Sequence, residues 1–394
     1  MNRAVVVDAV RSPVGKGKSS GALAGLHPAD LLGQVLQGLV ARSDLDRGLI
    51  DDVIIGCVNQ SGEQSATPGR QALLSAGFPT HVPAVTIERK CGSGQQAVDF
   101  AVQGVQAGAY DIVIAGGVES MSRVPMGSAA AGADPHGPGA RERFPDLVPQ
   151  GIAAELVAQK WALTRAELDE YSARSHERAA AARAAGWFDN ETIPVTTPDG
   201  VVSADETIRE GTTAEKLSGL KPAFDSDQWR HRFPDIEWKV TAGNSSQISD
   251  GAAALLIMSE EKARALGLRP RASIRASAVV GDDPTLMLTG PIPATGKVLT
   301  RAGLSVSDIA AFEVNEAFAP VPLAWQREIG AADDVLNPVG GAIALGHPLG
   351  SSGARLMTSL INHLERTGGR FGLQTMCEAG GMANATVVER LGSN

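Results

Sequence analysis

Apolar residues along this chain fall into short β-branched runs that alternate with stretches of helical period. Residues 4–10, 52–58, 84–88 and 111–115 read as strands, the last ending at Gly116-Gly117. Between them Leu31, Leu32, Val35, Leu36 and Leu39 recur with helical spacing, as do Ala97, Val98, Ala101, Val102 and Val105. The second half repeats the scheme. Residues 272–280 and 310–314 read as strands, and 298–303 as the end of a short helix. A Gly-rich turn follows over 338–353, then a helix over 354–366 and a strand over 371–377 that leads into Ala379-Gly380-Gly381. Such alternation predicts an α/β fold around a largely buried sheet. Each half carries a strand, a tight Gly/Ser turn with one reactive residue, a helix, and a strand ending near Gly-Gly. The reactive residue is Cys91 in the first half and His347 in the second, so a duplicated α/β unit accounts for the pattern.

The segment between the halves, about 119–241, has a different texture. It opens rich in Met, Pro and Gly (Met121, Pro125, Met126, Gly127, Pro135). Thr164 and Glu167 have the spacing of a capping box, with a helix to about residue 185. An inserted domain covering a site fits its helices and aromatics better than a plain linker does.

Composition narrows the picture. The chain has 394 residues, enough for two or three domains, and a net charge of -9, which argues against nucleic acid or an anionic membrane as main partner. Its 3 Cys stand far apart, so neither a disulfide framework nor a zinc cage is expected. The expected compartment is the reducing cytoplasm, with no secretory leader, no transmembrane helix and no metal site.

Cys91 lies in Glu88-Arg89-Lys90-Cys91-Gly92-Ser93-Gly94, between a strand and a helix. A helix N-terminus and two basic neighbours favour a thiolate there, against the alternative of a buried small hydrophobe. His347, between Gly346 and Pro348, reads as an exposed, oriented imidazole able to take a thiol proton. Cys377 ends a strand and either converges with Cys91 or closes a buried strand, whereas Cys57 reads as structural. Asn315-Glu316 follows another strand, where it could polarise a carbonyl, hold a water or cap a helix.

Taken in order, Cys91-Gly92-Ser93-Gly94, Glu119-Ser120-Met121-Ser122, Thr241-Ala242-Gly243-Asn244, Asn315-Glu316-Ala317-Phe318, Gly346-His347-Pro348-Leu349-Gly350 and Cys377 with Gly380-Gly381 resemble the motifs of the thiolase family over nearly the whole chain. The resemblance implies two βαβαβαββ halves packed as a five-layer αβαβα core with an inserted loop domain. Residues 1–120 with 242–268 would form the N-terminal half, 121–241 the loop domain, and 269–394 the C-terminal half. It also implies a homodimer or homotetramer, no permanently bound cofactor, and coenzyme A as co-substrate beside a 3-ketoacyl-CoA.

By the same resemblance Cys91 is the nucleophile, His347 its base and Cys377 the acid and base at C2. One oxyanion site is formed by His347 with a water held by Asn315, and the other by the N–H groups of Cys91 and Ala379. Ser246 and Lys221 match positions that contact coenzyme A, and Phe318 one that lines the pantetheine channel. Some residues depart from the family pattern. Ala379 stands where Gly is usual, Glu88 where Asn is usual, and Gln150-Gly151 where acetoacetyl-specific members carry His-Met-Gly. Residues 225–239 are longer than in simpler members. These features resemble degradative members acting on bulky chains, including steroid side chains. The alternatives are a biosynthetic acetoacetyl-CoA thiolase, a decarboxylating ketoacyl synthase and a non-catalytic acyl-CoA binder.

Overall fold

The computed structural model describes residues 3–392. In chain order its main strands are β1 (Ala4–Arg11), β2 (Asp52–Gly56), β3 (Val85–Ile87), β4 (Ile112–Ser120), β5 (Ser249–Ser259), β6 (Ala272–Gly281), β7 (Ile309–Val314), β8 (Phe371–Glu378) and β9 (Met382–Arg390). The first half lies in the order β3-β2-β4-β5-β1 and the second in the order β6-β9-β8-β7. In each half two parallel strands (β2 with β4, β7 with β8) are followed by an antiparallel one (β5, β9). The same order and polarity twice over is the structural form of the repeat. A short antiparallel contact, Val5 with Ser273 and Val6 with Ala272, joins the halves through β1 and β6.

The main helices, in chain order, are α1 (Pro28–Arg42), α2 (Pro68–Ser75), α3 (Ser93–Ala107), α4 (Gln150–Lys160), α5 (Arg165–Ala184), α6 (Pro291–Ala302), α7 (Pro320–Ile329) and α8 (Leu349–Thr367). The apolar stripe of α1, with Leu31, Val35 and Leu36, packs with α2 on Val53, Ile55 and Leu256 of the first half-sheet. On the far side of the second half-sheet, Val298 and Leu299 of α6 meet Phe312 and Trp325. Between the half-sheets α3 and α8 pack against each other and against strands of both, through Ala97, Val98 and Ala101 with Met357, Leu360 and Ile361. Five layers result. With neighbours on every side, α8 is buried from Leu349 through Asn362, its polar stripe of Ser352, Arg355, Ser359 and Asn362 included.

Three local expectations are corrected. β4 does not stop at Gly116-Gly117 but runs on to Ser120, because these glycines permit close approach rather than a turn: a Cβ on Gly117 would strike the Gly350 carbonyl. β5 likewise runs through Asp250-Gly251, a pair that reads locally as a turn ahead of an apolar strand over 252–258. α8 begins at Leu349, five residues earlier than the glycine content predicts. Gly350 and Gly353 lie inside it because its first turn rests on other backbone: a Cβ on Gly350 would stand 2.7 Å from the Gly56 carbonyl, and one on Gly353 would strike the Gln95 amide.

The segment between β4 and β5 has the expected capping box, with Thr164 and Glu167 bonded reciprocally at the head of α5. Its α4 packs Ile152, Ala153 and Val157 onto Met287, Leu288, Val321 and Cys377 of the second half. Among the described residues no helix is long and apolar enough to cross a membrane.

Candidate active site

The first turn of α3 and the approach to α8 meet at one cleft. On the α3 side, Arg89 N donates to Ser93 Oγ (2.8 Å), and that hydroxyl donates to the Lys90 carbonyl (2.6 Å). The loop this closes is tight enough to hold Lys90 at a φ of 46°, and Cys91 follows directly. On the α8 side, Gly346 takes a φ of 85° in a place where a Cβ would strike Ser249 Oγ. His347 N then donates to the Gln247 carbonyl at 3.0 Å.

His347 is only 4% exposed, so the expectation of an exposed imidazole is corrected. Its orientation is nevertheless fixed. Ser352 Oγ donates to the Pro348 carbonyl (2.9 Å), so its lone pairs are what it offers His347 Nδ1 at 2.6 Å. Nδ1 therefore carries the proton and Nε2 is left as the basic nitrogen. Burial, with Arg355 nearby, lowers the imidazole pKa to about 3, which keeps it neutral with Nε2 unprotonated. Nε2 faces Asn315 Nδ2 at 3.5 Å, and the same amide nitrogen lies 3.8 Å from Cys377 Sγ. Asn315 thus bridges the histidine and the second cysteine, while its buried Oδ1 has no protein partner.

The thiolate expected at Cys91 is not its resting state. Burial pushes the thiol well above its usual value, and Cys377 and Glu378 push it further, against the help of its own backbone N–H. Lys90 offsets little of this, because its Nζ is paired with Glu88 at 2.6 Å. Burial likewise pushes Cys377 up to about 12, with the Asn315 bond acting the other way. Both thiols rest neutral, so a reaction through Cys91 needs an adjacent base.

Two connected lobes open at Cys91, sharing Met126, Gln150 and Leu349. One, of about 240 Å³, is lined by His347, Ser246, Phe318 and Phe224. Ser246 is held by its N–H on the Ala317 carbonyl (2.9 Å), and Phe224 meets Phe318 edge to face at 6.0 Å. The other, of about 340 Å³, is lined by Val58, Asn59, Glu88, Lys90, Ala130 and Ala379. Glu88 therefore does face the cleft. Ala379 is not among the residues with positive φ, a conformation taken instead by Gly380 and Gly381, so its methyl group adds no backbone strain. Lys221 is exposed and lines neither lobe. A larger recess of about 520 Å³ elsewhere holds Asp8, Arg42, Arg271 and Glu365, whose charges are already paired with one another.

Three supporting residues have roles the sequence does not indicate: Glu119 stands out only as part of a motif, Glu316 reads with Asn315 as facing the chemistry, and Arg209 is unmarked. The buried Glu119 carboxyl accepts from Val58 N, Asn59 N, Asn59 Nδ2, Gln64 Nε2 and Gly350 N, all within 3.1 Å, and so ties the first turn of α8 to the loop after β2. Glu316 points away from the cleft. It accepts from Tyr171, Ser175, Asn337 and Ile343 N and fastens α5 to the loop before His347. Arg209, whose Nη2 reaches Gln247 Oε1 at 3.2 Å, brings a cation near the first lobe. Among the described residues no group of three or more His, Cys, Asp or Glu could hold a metal ion.

With this geometry in place, the likenesses to known proteins are informative. The family model for the thiolase N-terminal domain matches residues 4–261, and that for the thiolase C-terminal domain matches 268–390. The steroid 3-ketoacyl-CoA thiolase FadA6 of Mycobacterium tuberculosis is 47% identical over 99% of this chain and 95% of its own length. A 3-ketoacyl-CoA thiolase of Serratia proteamaculans is 45% identical over 99% of this chain and 100% of its own. The acetyl-CoA acetyltransferase of Bacillus anthracis superposes with a TM-score of 0.88 at 38% identity, covering 99% of both chains.

Proposed function

The chain belongs to the thiolase family of acyltransferases, and from that premise we propose that it degrades bulky 3-ketoacyl-CoA thioesters through an acyl-Cys91 intermediate. The observation that carries the chemistry is the convergence of Cys91 and His347 on one cleft, with Asn315 reaching from His347 Nε2 to Cys377 Sγ. His347 Nε2 takes the Cys91 proton, and the sulfur adds to the 3-keto carbon. The C2–C3 bond breaks, its electron pair passes into the enolate of acetyl-CoA, and the Cys377 thiol protonates C2. Coenzyme A then gives its thiol proton to Cys377 and takes the acyl group, and Cys91 leaves with the proton returned by His347. Two neutral thiols and a neutral imidazole are the correct starting state for this cycle.

Oxyanions arise on the acyl and the acetyl fragment in turn. His347 with Asn315 serves one, and the N–H groups of Cys91 and Ala379 serve the other. Losing such a donor typically raises a barrier by about 2.7–4 kcal/mol. Ser246 and Phe318 contact coenzyme A in the first lobe, which enters as co-substrate, with no resident cofactor. Lys221 remains a candidate phosphate contact at the surface. The free outer edge of β3, where Val85 is 42% exposed, supports a homodimer or homotetramer. The three free cysteines fit the cytoplasm.

The second lobe supports bulky acyl chains, in keeping with the steroid thiolase named among the relatives. The test is thiolysis of 3-ketoacyl-CoA substrates of increasing bulk, with the intact mass of the protein read when coenzyme A is left out. An acyl adduct on Cys91 and a kcat/KM that rises from acetoacetyl-CoA to the bulky substrates are expected. Equal or better turnover of acetoacetyl-CoA would remove the degradative reading, and no adduct with tight binding would make the protein an acyl-CoA binder.

A further inference from the structure

Behind the nucleophile turn sits a buried carboxyl that the cycle above does not use. Glu378 follows Cys377 on β8, and both its oxygens are buried without a hydrogen-bond partner. It lies directly against the residue after the nucleophile: a Cβ on Gly92 would fall on Glu378 Oε1 and 2.9 Å from Asn384 Nδ2. From β9, Asn384 Nδ2 donates to the Gly92 carbonyl (3.1 Å) rather than to the carboxyl. Arg89, whose buried Nε is also without a partner, and Asp99 of α3, bonded to Thr386 Oγ1 at 3.0 Å, are its other charged neighbours. Lys90 is turned away onto Glu88.

We propose that Glu378 is an electrostatic positioning residue for both thiols, neutral during turnover and opposing thiolate formation at Cys91 and Cys377 once it ionises. A buried carboxylate with no donor at full hydrogen-bond geometry is costly, and the protonated acid avoids that cost. Burial pushes Glu378 up to about 8; Arg89 and, more weakly, the Asn384 backbone N–H draw it down, and Asp99 adds to the rise. Its negative charge in turn raises both thiols. The cycle creates an anion first at Cys91 and then at Cys377, and a third anion beside them opposes both steps. No proton passes through Glu378.

The proposal rests on Cys91 being the reactive thiol, and the experiment separates the two. The rate of Cys91 alkylation by iodoacetamide is measured by peptide mapping from pH 6 to 10 in the wild type and in Glu378→Gln. The two profiles should coincide up to about pH 7 and diverge above it. A shift of one unit in the thiol makes the variant about tenfold faster by pH 9.5. The wild type by itself should show a step, with the logarithm of the rate flattening between about pH 7.5 and 8.5 before rising again. That reading needs no folded variant. Superimposed profiles, a ratio constant at every pH, or a wild-type curve that follows one simple titration would each overturn the proposal. Absence of any Cys91 adduct in the wild type would remove the catalytic reading and this proposal with it.

Discussion

Ser352 offers the sharpest test of how the base is prepared. Ser352→Ala removes the acceptor that His347 Nδ1 meets at 2.6 Å and adds no bulk. The imidazole is 4% exposed and Ser352 fully buried, so water does not readily replace the hydroxyl. Leaving a buried N–H without a partner costs about 1–3 kcal/mol. The same loss frees the ring to carry its proton on Nε2, the tautomer that cannot take the Cys91 proton. A penalty of that size corresponds to roughly five- to 150-fold in the population of the working form, at 1.36 kcal/mol per factor of ten. Single-turnover acylation, with coenzyme A omitted and the Cys91 adduct followed by mass, should slow by that factor. Ser352 lines neither lobe, so the concentration of 3-ketoacyl-CoA giving half-maximal acylation should stay within about twofold of the wild type. Acylation by Ser352→Ala within twofold of the wild-type rate would refute the argument that this hydroxyl sets the tautomer.

Three further outcomes are expected. Cys377→Ala should still form the Cys91 adduct with an acyl-CoA but fail to exchange the C2 protons of acetyl-CoA in heavy water, and normal exchange would be incompatible with its role. Glu119→Gln puts an amide nitrogen where one carboxyl oxygen accepts from at least two N–H donors, so it should lose about 2–6 kcal/mol by urea denaturation at about 1–3 kcal/mol for each unpaired group; a loss under about 1 kcal/mol would show that these bonds do not anchor α8. Burial raises Asp99 to about 7, against its Thr386 bond and Arg89. Its folded-state pKa lies above its unfolded value, so its contribution to stability is complete below about pH 4 and is lost as the pH rises toward 7. The stability of the wild type relative to Asp99→Asn should therefore fall over that interval, and a difference that does not change with pH would count against it.

Cys91, His347, Asn315 and Cys377 stood out in the sequence as candidates because each sits in a short segment whose composition announces a turn or a strand end. What those residues are like in place was not legible. Two basic neighbours and a helix N-terminus argued for a thiolate at Cys91, yet burial outweighs both, because removing a charge from water costs more than a partial dipole and a lysine already paired with Glu88 return. His347 looked exposed because its neighbours are small, but a small neighbour at Gly346 is what lets Ser249 and Val14 close against this turn.

The glycines show the division of labour most clearly. Local sequence determined that strands and helices alternate, that the scheme occurs twice, and which residues could carry acyl transfer, since periodicity and turn chemistry act over a few positions. It read Gly116, Gly117, Gly350 and Gly353 as breaks in regular structure. All four lie inside a strand or helix: Gly117, Gly350 and Gly353 where α8 meets the first half-sheet and α3 at backbone contact distance, and Gly116 against the Ala253 carbonyl of β5. That use of glycine depends on what stands opposite, and the partners are separated by more than a hundred residues. The same holds for Glu119 and Glu378, whose donors, or lack of them, come from segments remote in the chain. Only the packed structure decides which polar groups lose their water, and that loss sets the resting charge of the thiols and the imidazole.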